Sequence, residues 1–230
     1  NMFEIAHSLN RQYGPEQWCI YRGKHLMNFV DNHDVTRIAS ILTNKNHLPL
    51  TYGLLFGMPG IPCIYYGSEW GEEGVKAPDN DYALRPCFDS PKPNELTDFI
   101  KKLIAIRRTS DALCNGIYRN VVITNHQLVF ERKTDSERIL VAINASDSEF
   151  TASNGELHGS YIELLSQDTA SGAAAKDSSG ASDEETADPS AADTPQAESA
   201  AADHSPSQTQ ITLNGQLVLP PYSVQYLKSV

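Results

Sequence analysis

The chain has 230 residues, of which 40% are hydrophobic and 20% charged, the composition of a globular protein large enough to bury a core. It contains 18 Lys and Arg and 29 Asp and Glu, which gives a formal net charge of −11. That balance, without a basic cluster, argues against nucleic acid and anionic membrane surfaces as partners. No apolar run reaches the ~18 residues of a membrane-spanning helix, and four single cysteines predict free thiols without a zinc site.

Residues 1–110 alternate helical and strand patterns. The spacing of apolar residues predicts a first helix that ends at Gly14, a second over 48–58 and a third over 94–109. Residues 26–30 and 61–66 predict strands, the second apolar on both faces. Strands that alternate with helices indicate βαβ units and a buried parallel sheet.

The third helix has the clearest apolar stripe, and Arg107 is expected to lie outside it, with the other basic residues of the helix. The stripe consists of Leu96, Phe99, Ile100, Leu103 and Ile104.

Residues 116–230 contain short β-rich runs at close spacing, which predict a small antiparallel sandwich and a domain boundary between 115 and 116. The runs are 121–124, 128–131, 139–143, 161–165, 211–219 and 224–227.

Residues 166–210 interrupt this domain with 12 Ala, 9 Ser and 9 Asp and Glu against one Lys, so the block carries −8 of the net charge. Without large apolar residues the block cannot offset the entropy of ordering, and we expect a disordered insertion between two paired strands. It is either a solvated insertion without a partner or an acidic partner-binding segment.

Polar side chains follow both strands of the first region. Residues 29–34 (FVDNHD) place two carboxylates, an amide and an imidazole at one strand end, where α/β folds locate catalytic groups. The alternative is a helix-capping cluster formed by Asn32 or Asp34. Residues 65–70 (YYGSEW) offer aromatic faces that suit sugar rings and an acceptor for hydroxyls, or simply a buried aromatic pair with a solvated Glu.

Two stretches of the chain resemble signatures of glycoside hydrolase family 13, the α-amylase family: FVDNHD at 29–34 and PGIPCIYYGSE at 59–69. The resemblance implies that residues 1–115 are the last quarter of a (β/α)8 TIM barrel, strands seven and eight with their helices. It also implies that residues 116–230 are the antiparallel β-sandwich C-terminal domain. The residues after the His-Asp pair are most similar to the branch that acts on maltodextrins and cyclodextrins.

The same resemblance assigns roles to individual residues. Asp34 matches the family's catalytic carboxylate that hydrogen-bonds ring hydroxyls of the sugar in the transition state. His33 matches the substrate-binding histidine beside that carboxylate. Asp81 and Arg85 have the spacing of a pair that holds a sugar, although a plain surface ion pair is the alternative. The candidate substrate-binding residues are His33, Arg37, Tyr66, Glu69, Asp81 and Arg85.

The family's nucleophile and general acid/base have no match in this chain. We therefore expect the C-terminal part of a longer retaining hydrolase of α-1,4-glucans, inactive alone, with an α-glucan or maltooligosaccharide as substrate. The alternative is a non-catalytic carbohydrate-binding protein on the same barrel. We expect no cofactor or metal in this chain, and leave open the oligomeric state and any calcium in a longer parent. Single cysteines favour a cytoplasmic location.

Overall fold

The computed structural model describes residues 1–168 and 209–230, and most of the acidic block lies outside these residues. The helices are α1 (Met2–Tyr13), α2 (Ile38–Ile41), α3 (His47–Gly57), α4 (Glu95–Thr109) and α5 (Asp111–Asn115). The strands are β1 (Met27–Asn28), β2 (Ile61–Pro62), β3 (Ile117–Ile123), β4 (Gln127–Lys133), β5 (Arg138–Asn144), β6 (Phe150–Asp168), β7 (Gln210–Leu219) and β8 (Ser223–Ser229). The predicted helices correspond to α1, α3 and α4.

Strands β1 and β2 form a parallel pair in which Met27 lies opposite Ile61 and Asn28 opposite Pro62. The parallel arrangement is as predicted, but the strands are shorter than expected and are not buried. Met27 is 62% exposed and Ile61 53% exposed. Within the described residues, this sheet contains only β1 and β2.

The turn before β2 depends on glycine at position 60. Gly60 has a φ of +102°, and a Cβ added there would lie 2.2 Å from the Asn28 side-chain nitrogen. That amide donates a hydrogen bond of 2.7 Å to the Pro59 carbonyl, which joins the start of β2 to β1. A side chain at position 60 would therefore disturb the pairing of the two strands.

Arg107 corrects the prediction for α4, because its side chain is buried rather than turned away from the core. Its guanidinium donates to the main-chain carbonyls of Phe56, in the last turn of α3, and of Met58 and Gly60, between α3 and β2. The side chain thereby satisfies carbonyls that the end of α3 leaves unpaired.

The C-terminal strands are antiparallel and form one continuous sheet in the order β3-β4-β5-β8-β6-β7. This all-β architecture is as predicted. Strand β6 pairs with both β7 and β8, and buried side chains of β6 and β7 face those of β4, β5 and β8 in a shared core. One curled sheet therefore supplies both layers that a sandwich would take from two sheets.

The opposite face of this sheet packs on the helices. A cluster of buried side chains includes Leu55 and Phe56 of α3, Leu103 of α4, and Phe130 and Tyr226 of the sheet. The cluster draws residues from both sides of the predicted boundary at 115/116, which itself stays a prediction.

The strands that flank the acidic block are paired as expected, with Ile162 of β6 opposite Gln210 of β7. Strand β6 continues to Asp168, so the first three residues of the predicted block belong to a strand. The predicted disorder of residues 169–208 falls outside the described residues.

Glu137 anchors α5 to the sheet. Its carboxylate, 7% exposed, accepts from the Ser110 hydroxyl at 2.7 Å, from the Ala112 N–H at 2.7 Å and from Lys228 at 2.8 Å. Burial acts to raise the pKa of the Glu137 carboxyl, but these three donors outweigh it and hold the pKa below its usual value.

We expect Glu137→Gln to lower the free energy of unfolding by about 1.5–3 kcal/mol at pH 7, because hydrogen bonds to a charged acceptor are lost. A lowered folded-state pKa stabilises the protein above the unfolded-state pKa, and this contribution disappears as the pH falls through the folded-state value. Urea denaturation at several pH values should therefore show the two proteins converging below about pH 4. Glu16→Gln, at an exposed carboxylate, is the control; a Glu137→Gln deficit that does not change with pH would contradict this account.

Candidate active site

Asp34 lies beyond the carboxyl end of β1 and presents a carboxylate that is 59% exposed. One carboxylate oxygen lies 3.2 Å from His33 Nε2, and the other lies 3.5 Å from Arg85 Nη2. The same Arg85 nitrogen lies 3.6 Å from Asp81. The structure thus brings four predicted site residues into one polar group: His33, Asp34, Asp81 and Arg85.

Aromatic rings border this group. The ring of Tyr65 lies 6.1 Å from that of His33, and Tyr66 packs edge-on against Tyr65 with 4.7 Å between centroids. Tyr66 is 43% exposed, and its hydroxyl donates to the Pro86 carbonyl. The pair is therefore not a buried aromatic pair, because Tyr66 leaves much of its ring open to solvent.

Glu69 is not joined to this group by any contact among the described residues. One oxygen of its carboxylate is buried and has no hydrogen-bond partner within the described residues. Burial raises the pKa of the Tyr52 phenol, and the charges of Asp31 and Glu69 raise it further. Glu69 therefore acts on the buried interior near Tyr52, and its predicted contact with substrate has no support in this arrangement.

Arg37 is fully buried, so the structure does not place it where a substrate could touch it. Its guanidinium donates to the carbonyls of Tyr66 at 2.8 Å and Leu84 at 3.0 Å and to the Ser68 hydroxyl at 3.0 Å. It also stacks 4.2 Å from the centroid of the Tyr65 ring. The predicted direct substrate contact is replaced by a positioning role, since Arg37 fixes the segments that carry Tyr66 and Arg85.

Asp31, the other carboxylate of residues 29–34, is also buried and completes this network. Its carboxylate accepts from the Ser68 hydroxyl at 2.8 Å and from the Ile38 N–H at 2.9 Å. Neither Asn32 nor Asp34 caps the next helix: Asp31 accepts from the first N–H of α2 instead, and Asn32 accepts from the N–H of Asp34 at 2.8 Å. Together these bonds tie the segment after β1 to the segment after β2.

Across residues 1–168 and 209–230 there is no group of three or more His, Cys, Asp or Glu side chains that could hold a metal ion. The four cysteines are unpaired. In the same part of the chain, no helix has the length and apolarity needed to cross a membrane.

The described residues thus combine a parallel strand pair, with acidic and aromatic groups beyond its carboxyl ends, with an antiparallel C-terminal sheet, the arrangement of an α/β protein that carries an all-β domain. Residues 15–87 match the family profile "Alpha amylase, catalytic domain", and residues 121–230 match "Alpha amylase, C-terminal all-beta domain". The chain belongs to the α-amylase family, glycoside hydrolase family 13.

Relatives by sequence include Alpha-amylase 2 of Dictyoglomus thermophilum, 32% identical over 148 residues, which cover 61% of this chain and 25% of that protein. Cyclomaltodextrin glucanotransferase of Niallia circulans is 31% identical over 141 residues, covering 60% of this chain and 19% of that protein. The chain therefore spans about a fifth to a quarter of the length of these relatives.

Solved structures show the same fold. The α-amylase of Geobacillus thermoleovorans, complexed with acarbose, has a TM-score of 0.62 at 19% identity and covers 89% of this chain and 38% of its own. The Anoxybacillus α-amylase has a TM-score of 0.61 at 20% identity, with 99% of this chain and 45% of its own covered.

Proposed function

We propose that this chain is the C-terminal part of a retaining glycoside hydrolase that cleaves α-1,4-glucosidic bonds in maltooligosaccharides, starch or cyclodextrins. The observation that carries the proposal is the exposed Asp34 carboxylate beyond the carboxyl end of β1, held between His33 and Arg85. The names of the relatives, α-amylases and cyclomaltodextrin glucanotransferases, support α-glucans as the substrate class.

Asp34 has the chemistry for stabilising an oxocarbenium-like transition state. Glycosidases gain several kcal/mol from hydrogen bonds to sugar hydroxyls that strengthen as the ring distorts. His33 and Arg85 hold the Asp34 carboxylate from both sides before the substrate arrives. Because this arrangement is set in advance, little reorganisation is needed in the reaction itself.

The neighbouring groups supply substrate contacts in this proposal. His33 and Arg85 are each about half exposed and can donate to sugar hydroxyls. Asp81 orients Arg85. The open part of the Tyr66 ring offers a flat apolar face of the kind on which sugar rings stack.

The nucleophile and the general acid/base are supplied, in this proposal, by a part of the protein outside this chain. Retaining hydrolysis needs two carboxyl groups about 5–5.5 Å apart, one of which must give up a proton. Asp81 is the carboxylate that shares a cationic partner with Asp34, and Arg85 stands between them. A guanidinium that pairs with both carboxylates favours their ionised forms, so in this proposal neither is the acid that gives up the proton.

The test uses the longer protein that contains this chain, incubated with maltoheptaose and followed by proton NMR of the anomeric region. We expect the α-anomer to appear first and the β-anomer only later by mutarotation, because a retaining enzyme preserves the anomeric configuration. Release of the β-anomer first would contradict retention. Binding of maltoheptaose without any hydrolysis would favour the non-catalytic alternative.

A further inference from the structure

A cavity of about 140 Å³ lies at the amino ends of β1 and β2, the opposite ends from Asp34. Arg22, Lys24 and His25, which precede β1, line it together with Arg132 of β4. No Asp or Glu is among the described residues that line it.

Arg132 gives this cavity a buried positive charge. It is 1% exposed and donates to the carbonyl of Gly57 at 2.8 Å and twice to that of Gly116, at 3.2 and 2.9 Å. All these acceptors are neutral, and no ion pair joins Arg132 to a carboxylate in the described ranges. Burial, followed by the charge of Arg107, lowers the pKa of Arg132 to about 9. An uncompensated buried charge of this kind is costly, and an anion would relieve the cost.

Exposed residues at the edge of the cavity add further positive charge. Arg22, Lys24 and His25 are exposed, and none forms an ion pair with a carboxylate of the described residues. Outside the acidic block 166–210, which carries −8 of the net charge of −11, the rest of the chain has a net charge of −3. Guanidinium and ammonium groups, such as those of the residues that line this cavity, are donors that phosphate groups prefer.

We propose that this cavity binds a small oxyanion of the phosphate type, either free phosphate or the phosphoryl group of a sugar phosphate. The site lies at the amino ends of β1 and β2, whereas Asp34 lies beyond the carboxyl end of β1. The phosphate proposal therefore does not depend on the hydrolase proposal.

The experiment titrates inorganic phosphate into the 230-residue chain at constant ionic strength, with chloride as the balancing anion. We expect a saturable rise in melting temperature, because a ligand that binds only the folded state stabilises it. The double variant Arg22→Gln/Lys24→Gln removes two exposed cations and should weaken phosphate binding at least tenfold. Lys101→Gln/Lys102→Gln, which makes the same change of charge on α4, should leave phosphate binding unchanged.

A parallel titration with glucose 1-phosphate distinguishes the two sources. Tighter binding than inorganic phosphate would identify a sugar phosphate as the ligand, whereas equal or weaker binding would identify free phosphate. The proposal is overturned if neither compound shifts the melting temperature beyond the chloride control. It is also overturned if the Arg22→Gln/Lys24→Gln variant responds to phosphate as strongly as the wild-type chain.

Discussion

Asp34→Asn, made in the longer protein that contains this chain, is expected to lower kcat on maltooligosaccharides by about 10³-fold or more. The amide keeps the shape of the side chain but loses the charge that, in the proposed function, stabilises the transition state. The free energy of unfolding should change by less than about 1 kcal/mol, because Asp34 is 59% exposed and its ion pairs are open to solvent.

Steady-state kinetics and urea denaturation of the same preparation separate the catalytic effect from the structural one. The matched control is Asp79→Asn, an exposed carboxylate on the loop before Asp81, and it should retain wild-type kcat. An Asp34→Asn enzyme with near wild-type kcat would remove Asp34 from the mechanism.

Arg37→Ala is expected to lower the free energy of unfolding by about 3–5 kcal/mol, the range for a large buried side chain whose partners are left unpaired. The change leaves the carbonyls of Tyr66 and Leu84 and the Ser68 hydroxyl without their cationic donor. It also opens a cavity beside Tyr65, against which the guanidinium stacks.

Arg85→Ala is the matched control, since Arg85 is 49% exposed and its pairs are worth at most about 1 kcal/mol. Urea denaturation of the 230-residue chain gives both values. Should Arg37→Ala fail to fold, Arg37→Lys keeps one charged donor and should be destabilised less than Arg37→Ala. Equal losses for Arg37→Ala and Arg85→Ala would contradict the positioning role.

The helices and the strands of the β-rich half were predictable because their patterns are local. Helix α4 shows both the strength and the limit of such patterns. Arg107 follows Leu103 by four residues and Phe99 by eight, so spacing alone places it on the buried face, and only its charge suggested otherwise. The carbonyls that make its burial tolerable lie some fifty residues away in sequence.

The site residues that lie in family motifs were predictable from the sequence. Those whose orientation depends on packing against distant residues were less predictable. Residues 29–34 and the Asp81–Arg85 spacing led to side chains that do meet. The bond between Asp31 and Ser68 joins residues 37 apart, and no local signal marks either as its partner. Arg37 was expected to face the substrate, but its side chain is fully buried, and one carboxylate oxygen of Glu69 is buried as well.

The exposure of the Met27 and Ile61 side chains also depends on residues that are distant in sequence. A barrel strand is apolar on both faces because neighbouring strands and helices cover it, and the described residues supply only one neighbour for each. The apolar pattern of 26–30 and 61–66 therefore predicts a more complete sheet than these residues form by themselves.

The most direct test of the central claim is an assay of maltoheptaose hydrolysis by the highly purified 230-residue chain, read as release of reducing ends. Because the proposed function places the nucleophile and the general acid/base outside this chain, the expected result is no release above the protein-free blank. Turnover that persists through purification and disappears in Asp34→Asn would show that groups within this chain replace those carboxylates, and would contradict the account.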